Sequence, residues 1–278
     1  MPVQGKSEGN SPDLLLETSV AAVRGAAAVI TDASFSRSAL RWEEKGSSDF
    51  VTDVDRAAER EITAQIHARF PNATIVGEEL SPGDLPSAEL SFVVDPLDGT
   101  TNFLHGYPQY AVSVAVLVRG KLQAGAVLDV TADELFTATA GGGSFLNGNR
   151  ISVSDIHDAS RALIGTGFPF KQHELLPRYL AQFDRVMRGT AGVRRAGSAA
   201  IDLASVASGR FDGFWELDLA PWDVAAGILL VREAGGVVTS LSGKEAEVNF
   251  GGFVAGNRAM HAWLMTIASD SSNPTDSR

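Results

Sequence analysis

A chain of 278 residues with 44% hydrophobic side chains can bury a sizeable core, as one large domain or as two intimately packed ones. Its formal net charge of -11 argues against a nonspecific grip on nucleic acid or anionic membrane. The absence of cysteine excludes disulfides, thiolate catalysis and Cys-zinc sites, and the five histidines fall at no metal-ligand spacing.

Residues 1–12 are polar, contain Pro2 and Pro12, and lack the charged-then-apolar order of a signal peptide, so they are expected to be disordered. Apolar periodicity predicts a helix from Leu14 to about Ser34. Its segment Val20–Ile30 is broken by Arg24 and Gly25 and is too short to span a bilayer. The expectation is a soluble, cytoplasmic protein with no membrane association. A second helix is predicted over Arg56–Phe70, where Ala57, Ala58, Ile62, Ile66 and Phe70 recur at helical spacing. Asp55 stands at the cap position and Pro71 follows the end. Phe92–Asp95 reads as a short strand. Tyr110–Val118 and Leu122–Leu128 read as a hairpin turning at Gly120-Lys121, and Glu134–Thr139 as another strand. Gly141-Gly142-Gly143 reads as a hairpin turn, and Phe145–Ile151 turns again at Asn147-Gly148.

The pattern changes near residue 155. Arg161–Gly165, Gly213–Glu216, Val237–Thr239 and Gly252–Ala255 read as strands. Leu175–Met187, Ser198–Ala207, Asp223–Ala234 and a last segment capped by Asn257 read as helices. This alternation predicts an α/β unit over 156–268, after an antiparallel α+β unit over 13–155, with 269–278 a second disordered tail.

The chemistry concentrates in acids at element ends. DPLDGTTNF, from Asp95, holds two carboxylates three residues apart directly after the apolar run from Leu90 to Val94. Pro96 stiffens the exit and Gly99 permits a tight turn, so Asp95 and Asp98 can converge. Like charges held close need a positive partner, and a hard divalent cation such as magnesium suits oxygen ligands. A lone Asp-x-x-Asp more often makes an Asx-turn at a strand end. Here Glu78 and Glu79 end another apolar pair, Asp53 and Asp55 precede a helix, and Asp223 opens one beside Trp222. Asp55 and Asp223 also suit plain helix caps, and Glu79 reads as a surface acid. Gly99-Thr100-Thr101 could offer backbone N–H groups to phosphate. No GxGxxG between strand and helix, no P-loop and no GxSxG elbow is present.

With DPLDGTTNF at Asp95–Phe103, WDVAAG at Trp222–Gly227, EAGG at Glu233–Gly236, KGSSDFVTDVD at Lys45–Asp55 and GEE at Gly77–Glu79, the chain resembles the inositol monophosphatase family, in its bacterial inositol-1-monophosphatase branch, over roughly residues 13–265. The resemblance implies an α+β fold, a layered αβαβα sandwich, assembled as a homodimer. It implies a magnesium-dependent, lithium-sensitive phosphomonoesterase that hydrolyses inositol monophosphate by metal-activated water, with two or three magnesium ions. Glu78, Asp95 and the Leu97 carbonyl would hold the first ion, and Asp95, Asp98 and Asp223 the second. Asp55 and Thr100 would activate the water, and Gly99 and Thr100 would face phosphate. Ser198, Ala199 and Glu216 would meet substrate hydroxyls. Lys45 matches a lysine near the active-site loop less closely.

Two alternatives stay open. One is another small phosphomonoester, such as histidinol phosphate. The other is a regulatory role in transcription through a protein partner, because the net charge opposes direct nucleic-acid binding.

Overall fold

Side chains alternate across a strand, so a strand buried on both faces needs an almost unbroken apolar run and feeds two cores at once. The strand Ala111–Val118 does this: Val112, Val114 and Val116 enter one core, while Ala111, Ala115 and Leu117 enter another. This computed structural model describes residues 11–36, 42–46, 49–83, 85 and 87–269.

The first half runs α1 (Pro12–Ser34), β1 (Trp42–Gly46), β2 (Asp49–Thr52), α2 (Asp53–Arg69), β3 (Thr74–Gly77), β4 (Leu90–Asp98), α3 (Thr100–His105), β5 (Ala111–Val118), β6 (Lys121–Asp129), β7 (Glu134–Thr139), β8 (Gly143–Leu146) and β9 (Asn149–Ile151). Strands β3 to β9 form a seven-stranded sheet in sequence order. It is antiparallel except for the parallel pair β3/β4. The β8–β9 turn takes Asn147 and Gly148 to φ 48° and 78°, the left-handed pair that a two-residue hairpin requires.

The second half runs β10 (Leu163–Thr166), α4 (Leu176–Gly189), β11 (Gly192–Arg194), α5 (Ala199–Ala207), β12 (Gly213–Leu219), α6 (Pro221–Glu233), β13 (Val237–Ser240), β14 (Gly251–Gly256) and α7 (Arg258–Ala268). Its five-stranded sheet has the order β11-β10-β12-β14-β13. It is mixed: β10 pairs in parallel with β11 and β12, while β14 is antiparallel to both neighbours.

Helices α1 and α2 cover the outer face of the first sheet around Ile30, Ile62, Ile66 and Phe92. Helices α5 and α6 lie between the sheets, with Leu203, Val206, Ile228 and Leu230 buried against both. Helices α4 and α7 close the far side on Trp215, Val254 and Leu264. The layering is αβαβα. Helix α1 is long and apolar enough to cross a membrane by length and composition, but its stripe Leu15, Ala22, Val23, Ala26 and Ile30 is buried in this core.

Several elements differ from the sequence expectation. Helix α1 starts at Pro12, capped by Ser11, one residue inside the stretch expected to be a tail. Residues 1–10 and 270–278 lie outside the described residues. Thr52, not Asp55, caps α2; Asp55 is its N3 residue and closes a capping box. Asp223 is likewise N3 of α6, whose N-cap is Ala220. Strands β1, β2, β3 and β11 and the six-residue α3 were not anticipated, being too short to display a period.

Candidate active site

The odd spacing of Asp95 and Asp98 should send their side chains to opposite faces of a regular strand. The register removes the problem. Asp95 pairs with Ser113 and Asp98 with Ala111, three steps on β4 against two on β5. The extra residue is a bulge, and it turns both carboxylates into one cleft. Pro96 sits inside that bulge, where its missing N–H costs no ladder bond. Asp95 is buried and its Oδ1 accepts the Leu97 N–H at 3.0 Å, so the Asx-turn and the cleft-facing acid coexist.

Each acid is held by its own donors. Asp98 Oδ2 accepts the Ser198 hydroxyl and the Ala200 N–H, both at 2.7 Å, at the positive end of α5. Asp223 Oδ2 accepts the Ala220 N–H at 2.7 Å. Asp55 Oδ2 accepts the Thr52 N–H at 2.9 Å and is bonded by the Thr52 hydroxyl as well. Thr100 Oγ1 lies 2.9 Å from Asp55 Oδ1 and 3.1 Å from the Leu97 carbonyl. It has one proton to give, and the carboxylate is the stronger acceptor. Gly99, at φ 101°, makes the turn into α3; a Cβ there would lie 2.9 Å from the Gln109 carbonyl. Asn102 Nδ2 then reaches the carbonyls of Gln109 and Ala196 at 2.7 and 2.9 Å, tying α3 to the loop before α5.

The resulting cleft, of about 710 Å³, opens between the two sheets. Of the residues expected in the site, Glu78, Asp95, Leu97, Asp98, Gly99, Thr100, Ser198, Ala199, Glu216 and Asp223 line it. Asp55 stands behind Thr100 and meets the cleft only through that hydroxyl. The Ser198 hydroxyl, expected at a substrate hydroxyl, is engaged within the chain: it donates to Asp98 and accepts from Ile201 N–H at 3.3 Å. The side chain of Lys45 lies outside the described residues.

Charge crowding dominates the electrostatics. Burial, then Glu78, Asp98 and Asp223, push the Asp95 carboxyl well above the usual range. Asp98 is raised by burial against the opposing pull of Ser198, Ala200, Arg195 and Lys171. Asp223 is pushed up to about 7 by burial and by Asp98. Burial also raises Asp55, and burial with Asp223 and Asp202 raises Glu216 well above its ordinary value. Among the described residues no three acid or imidazole side chains are already gathered as a finished coordination sphere. The donors nonetheless fit a hard divalent cation. Asp95, Asp98 and Asp223 each commit one carboxylate oxygen to the chain and share the cleft with Glu78.

Four charged cleft-lining residues were missed in the sequence. Arg195 lays its guanidinium 5.0 Å from the Phe168 ring centre and 5.3 Å from that of Phe170, forming a cationic and aromatic wall. Lys171 and Asp218 line the same side. Asp202, buried on α5, also reaches the cleft, and its Oδ1 has no hydrogen-bond partner among the described residues. Only the spacing of Asp202, one helical turn after Ser198, could have signalled it.

The sequence model of the inositol monophosphatase family matches residues 11–273. The chain belongs to the inositol monophosphatase family. Within it, the chain is 44% identical over 258 residues to the Nus factor SuhB of Pseudomonas aeruginosa, covering 91% of this chain and 95% of that protein. The crystal structure of the extragenic suppressor protein suhB from Bartonella henselae superposes with a TM-score of 0.87 at 38% identity, covering 93% of this chain and 99% of the other. The inositol monophosphatase from Anabaena (Nostoc) sp. PCC 7120 gives 0.81 at 36% identity, covering 92% and 95%. The five-layer fold and the phosphatase family are thereby shared with solved relatives.

The acids of this family site set a pH dependence. A carboxyl whose folded pKa lies above its unfolded value stabilises the fold while protonated and loses that contribution as pH rises. For Asp223 the loss runs from the ordinary carboxylate range up through about 7, and Asp95 acts in the same direction. The metal-free protein should therefore melt at a lower temperature at about pH 8 than at about pH 5. A divalent cation should restore more stability at the higher pH. A melting temperature that rises with pH in chelator would contradict the crowding.

Proposed function

We propose that this chain is a magnesium-dependent phosphomonoesterase that hydrolyses a small phosphorylated polyol, with inositol monophosphate as first choice. The observation that carries the reading is the juxtaposition, in one cleft, of the acids at Glu78, Asp95, Asp98 and Asp223 with the Thr100–Asp55 hydrogen bond. Glu78, Asp95, Asp98, Asp223 and the Leu97 carbonyl would hold two or three magnesium ions. Magnesium, when bound, polarises phosphate oxygens and eases ionisation of water.

The rest of the chemistry belongs to the chain. With its proton directed to Asp55, the Thr100 oxygen presents a lone pair to a water in the cleft. Asp55 is buried and its carboxyl is raised, so it is suited to take a proton relayed through Thr100. The water then attacks phosphorus in line with the departing alkoxide as the ester P–O bond breaks; the alkoxide takes a proton from solvent and leaves as the alcohol, and Asp55 returns its proton to solvent. Glu216, half-buried in the same cleft, suits a hydroxyl-bearing ring better than a second anion, because a carboxylate accepts strong hydrogen bonds from hydroxyls.

Chelator should abolish hydrolysis and magnesium should restore it. In that assay Thr100→Ala should lower kcat by about 10²-fold or more, the range of a positioned proton-transfer group. Full activity in metal-free protein would refute the reading. Substrate choice is tested separately by kcat/KM on inositol 1-phosphate beside histidinol phosphate. Wild type should prefer the inositol ester, and Glu216→Gln should lose much of that preference while aryl phosphates change less. Equal loss on every ester would assign Glu216 to the fold or the ions instead.

A second reading is favoured by the name Nus factor SuhB carried by a relative of 44% identity. It supports a transcription-associated role through a protein partner, compatible with catalysis and with assembly as a homodimer in the cytoplasm. Sedimentation tests both points. The chain alone should run at twice its mass, and it should co-sediment with a transcription elongation complex without binding naked RNA. A persistent monomer would count against the dimer, and absence from the complex would count against the partner role.

A further inference from the structure

Helix α2 carries a second fully buried carboxylate one turn after Asp55. Glu59 is 0% exposed, and the i, i+4 spacing puts it on the same face as Asp55. A buried acid inside the stripe Ala58, Ile62 and Ile66 is costly unless its oxygens are bonded. Both are. Glu59 Oε2 accepts the Glu79 N–H at 2.8 Å and Oε1 accepts the Leu80 N–H at 3.1 Å. These consecutive amides follow Glu78 directly. The same carboxylate presses on the backbone just before Glu78: a Cβ on Gly77 would lie 2.3 Å from Glu59 Oε1. The turn closes on itself through the Gly77 N–H and the Ser81 carbonyl at 3.2 Å. Gly77 and Leu80 thus bracket Glu78, and one buried side chain touches both sides of the bracket.

We propose that Glu59 is a positioning residue for Glu78: its carboxylate clamps the turn so that Glu78 is presented to the ion site, while Asp55 on the same helix face holds Thr100. This rests on the reading of Glu78 as a magnesium ligand. Helix α2 then acts as a single gauge, fixing a ligand and the proton relay relative to each other. A loosened turn leaves Glu78 in the chain but spends part of its binding energy on ordering, which lowers ion affinity without removing a ligand.

Two variants separate this clamp from its alternatives. Glu59→Gln keeps the size of the side chain, but its amide nitrogen opposes one of the two N–H donors. Gly77→Ala keeps every charge and displaces the carboxylate sterically, its new Cβ also lying 2.8 Å from Val94 Cγ2. Magnesium affinity is measured by calorimetric titration of the metal-free protein, and exchange of the Glu79 and Leu80 amides by hydrogen–deuterium exchange. Ile66→Val, destabilising α2 from its buried face, is the control. Both clamp variants should bind magnesium about tenfold more weakly, the scale seen when outer-shell partners of metal sites are altered. Both should speed exchange at the two amides, and excess magnesium should recover turnover; the control should bind as wild type does. Affinity lost in Glu59→Gln alone would mean that the charge matters rather than the clamp, and would overturn the inference. So would unchanged affinity in both variants, or an equal loss in Ile66→Val. If Glu59→Gln fails to fold, Gly77→Ala carries the test only through the paired loss of affinity and of protection at the Glu79 and Leu80 amides; affinity lost with those amides still protected would place the effect at Val94 and overturn the inference. A wild type that takes up no magnesium overturns the proposed function and this inference together; variants that match a magnesium-binding wild type overturn this inference alone.

Discussion

Mutual repulsion among carboxylates is the constraint around which this molecule is arranged. Asp95 feels Glu78, Asp98 and Asp223, and each of those neighbours makes its ionisation harder. Such a group cannot be assembled from free side chains, because they would swing apart or take protons. Here Asp95, Asp98 and Asp223 are each fixed by a backbone N–H from their own or an adjoining element. Hydrogen bonds to a charged acceptor are the strong ones, and backbone donors carry no rotamer freedom to lose. The anchors hold the geometry that the charges oppose.

The five-layer architecture supplies those anchors. Sandwiching α5 and α6 between the sheets brings both helix starts to the end of β4, where Asp95 and Asp98 emerge. Helix N-termini offer unpaired N–H groups and a positive dipole end, which suit carboxylates. Asp98 uses α5 in this way across 102 residues of sequence, and Asp223 does so at the start of its own helix. Asn102 braces the junction by bonding carbonyls on both sides of it. The site therefore belongs to neither half of the chain alone.

Much of this was legible in the residues, and the failures have physical causes. Long periodic segments such as α2, β5 and β6 were placed to within a few residues, because burial on a fixed face imposes a period. The DPLD motif announced converging acids, but the bulge that makes them converge depends on the register with β5, which only tertiary pairing sets. Strand β4 was read too short because Pro96 looked like a terminator, whereas a bulge tolerates it. The capping role went to Asp55 instead of Thr52 because either residue type suits an N-cap, and the box in which both take part appears only in three dimensions. Glu59 was passed over for the opposite reason: an isolated acid in a helix ordinarily reads as solvated. Its place inside a stripe of buried residues was the only clue.

Fold and site are coupled through the same charges. Burying Asp55, Glu59 and Asp95 costs free energy that the three apolar cores must offset. The cost is not equal for all three. Glu59 recovers it through two amide bonds, and Asp55 through Thr52 and Thr100. Among the described residues Asp95 has a single amide donor to its side chain and three acidic neighbours, so its cost is met least well of the three. Of these three acids the fold therefore leaves the largest unmet electrostatic demand at Asp95 in the cleft, and any cation that meets it gains affinity from the strain it relieves. Placing that demand on β4, a strand buried on both faces, lets the surrounding core resist the distortion that would otherwise disperse the charges.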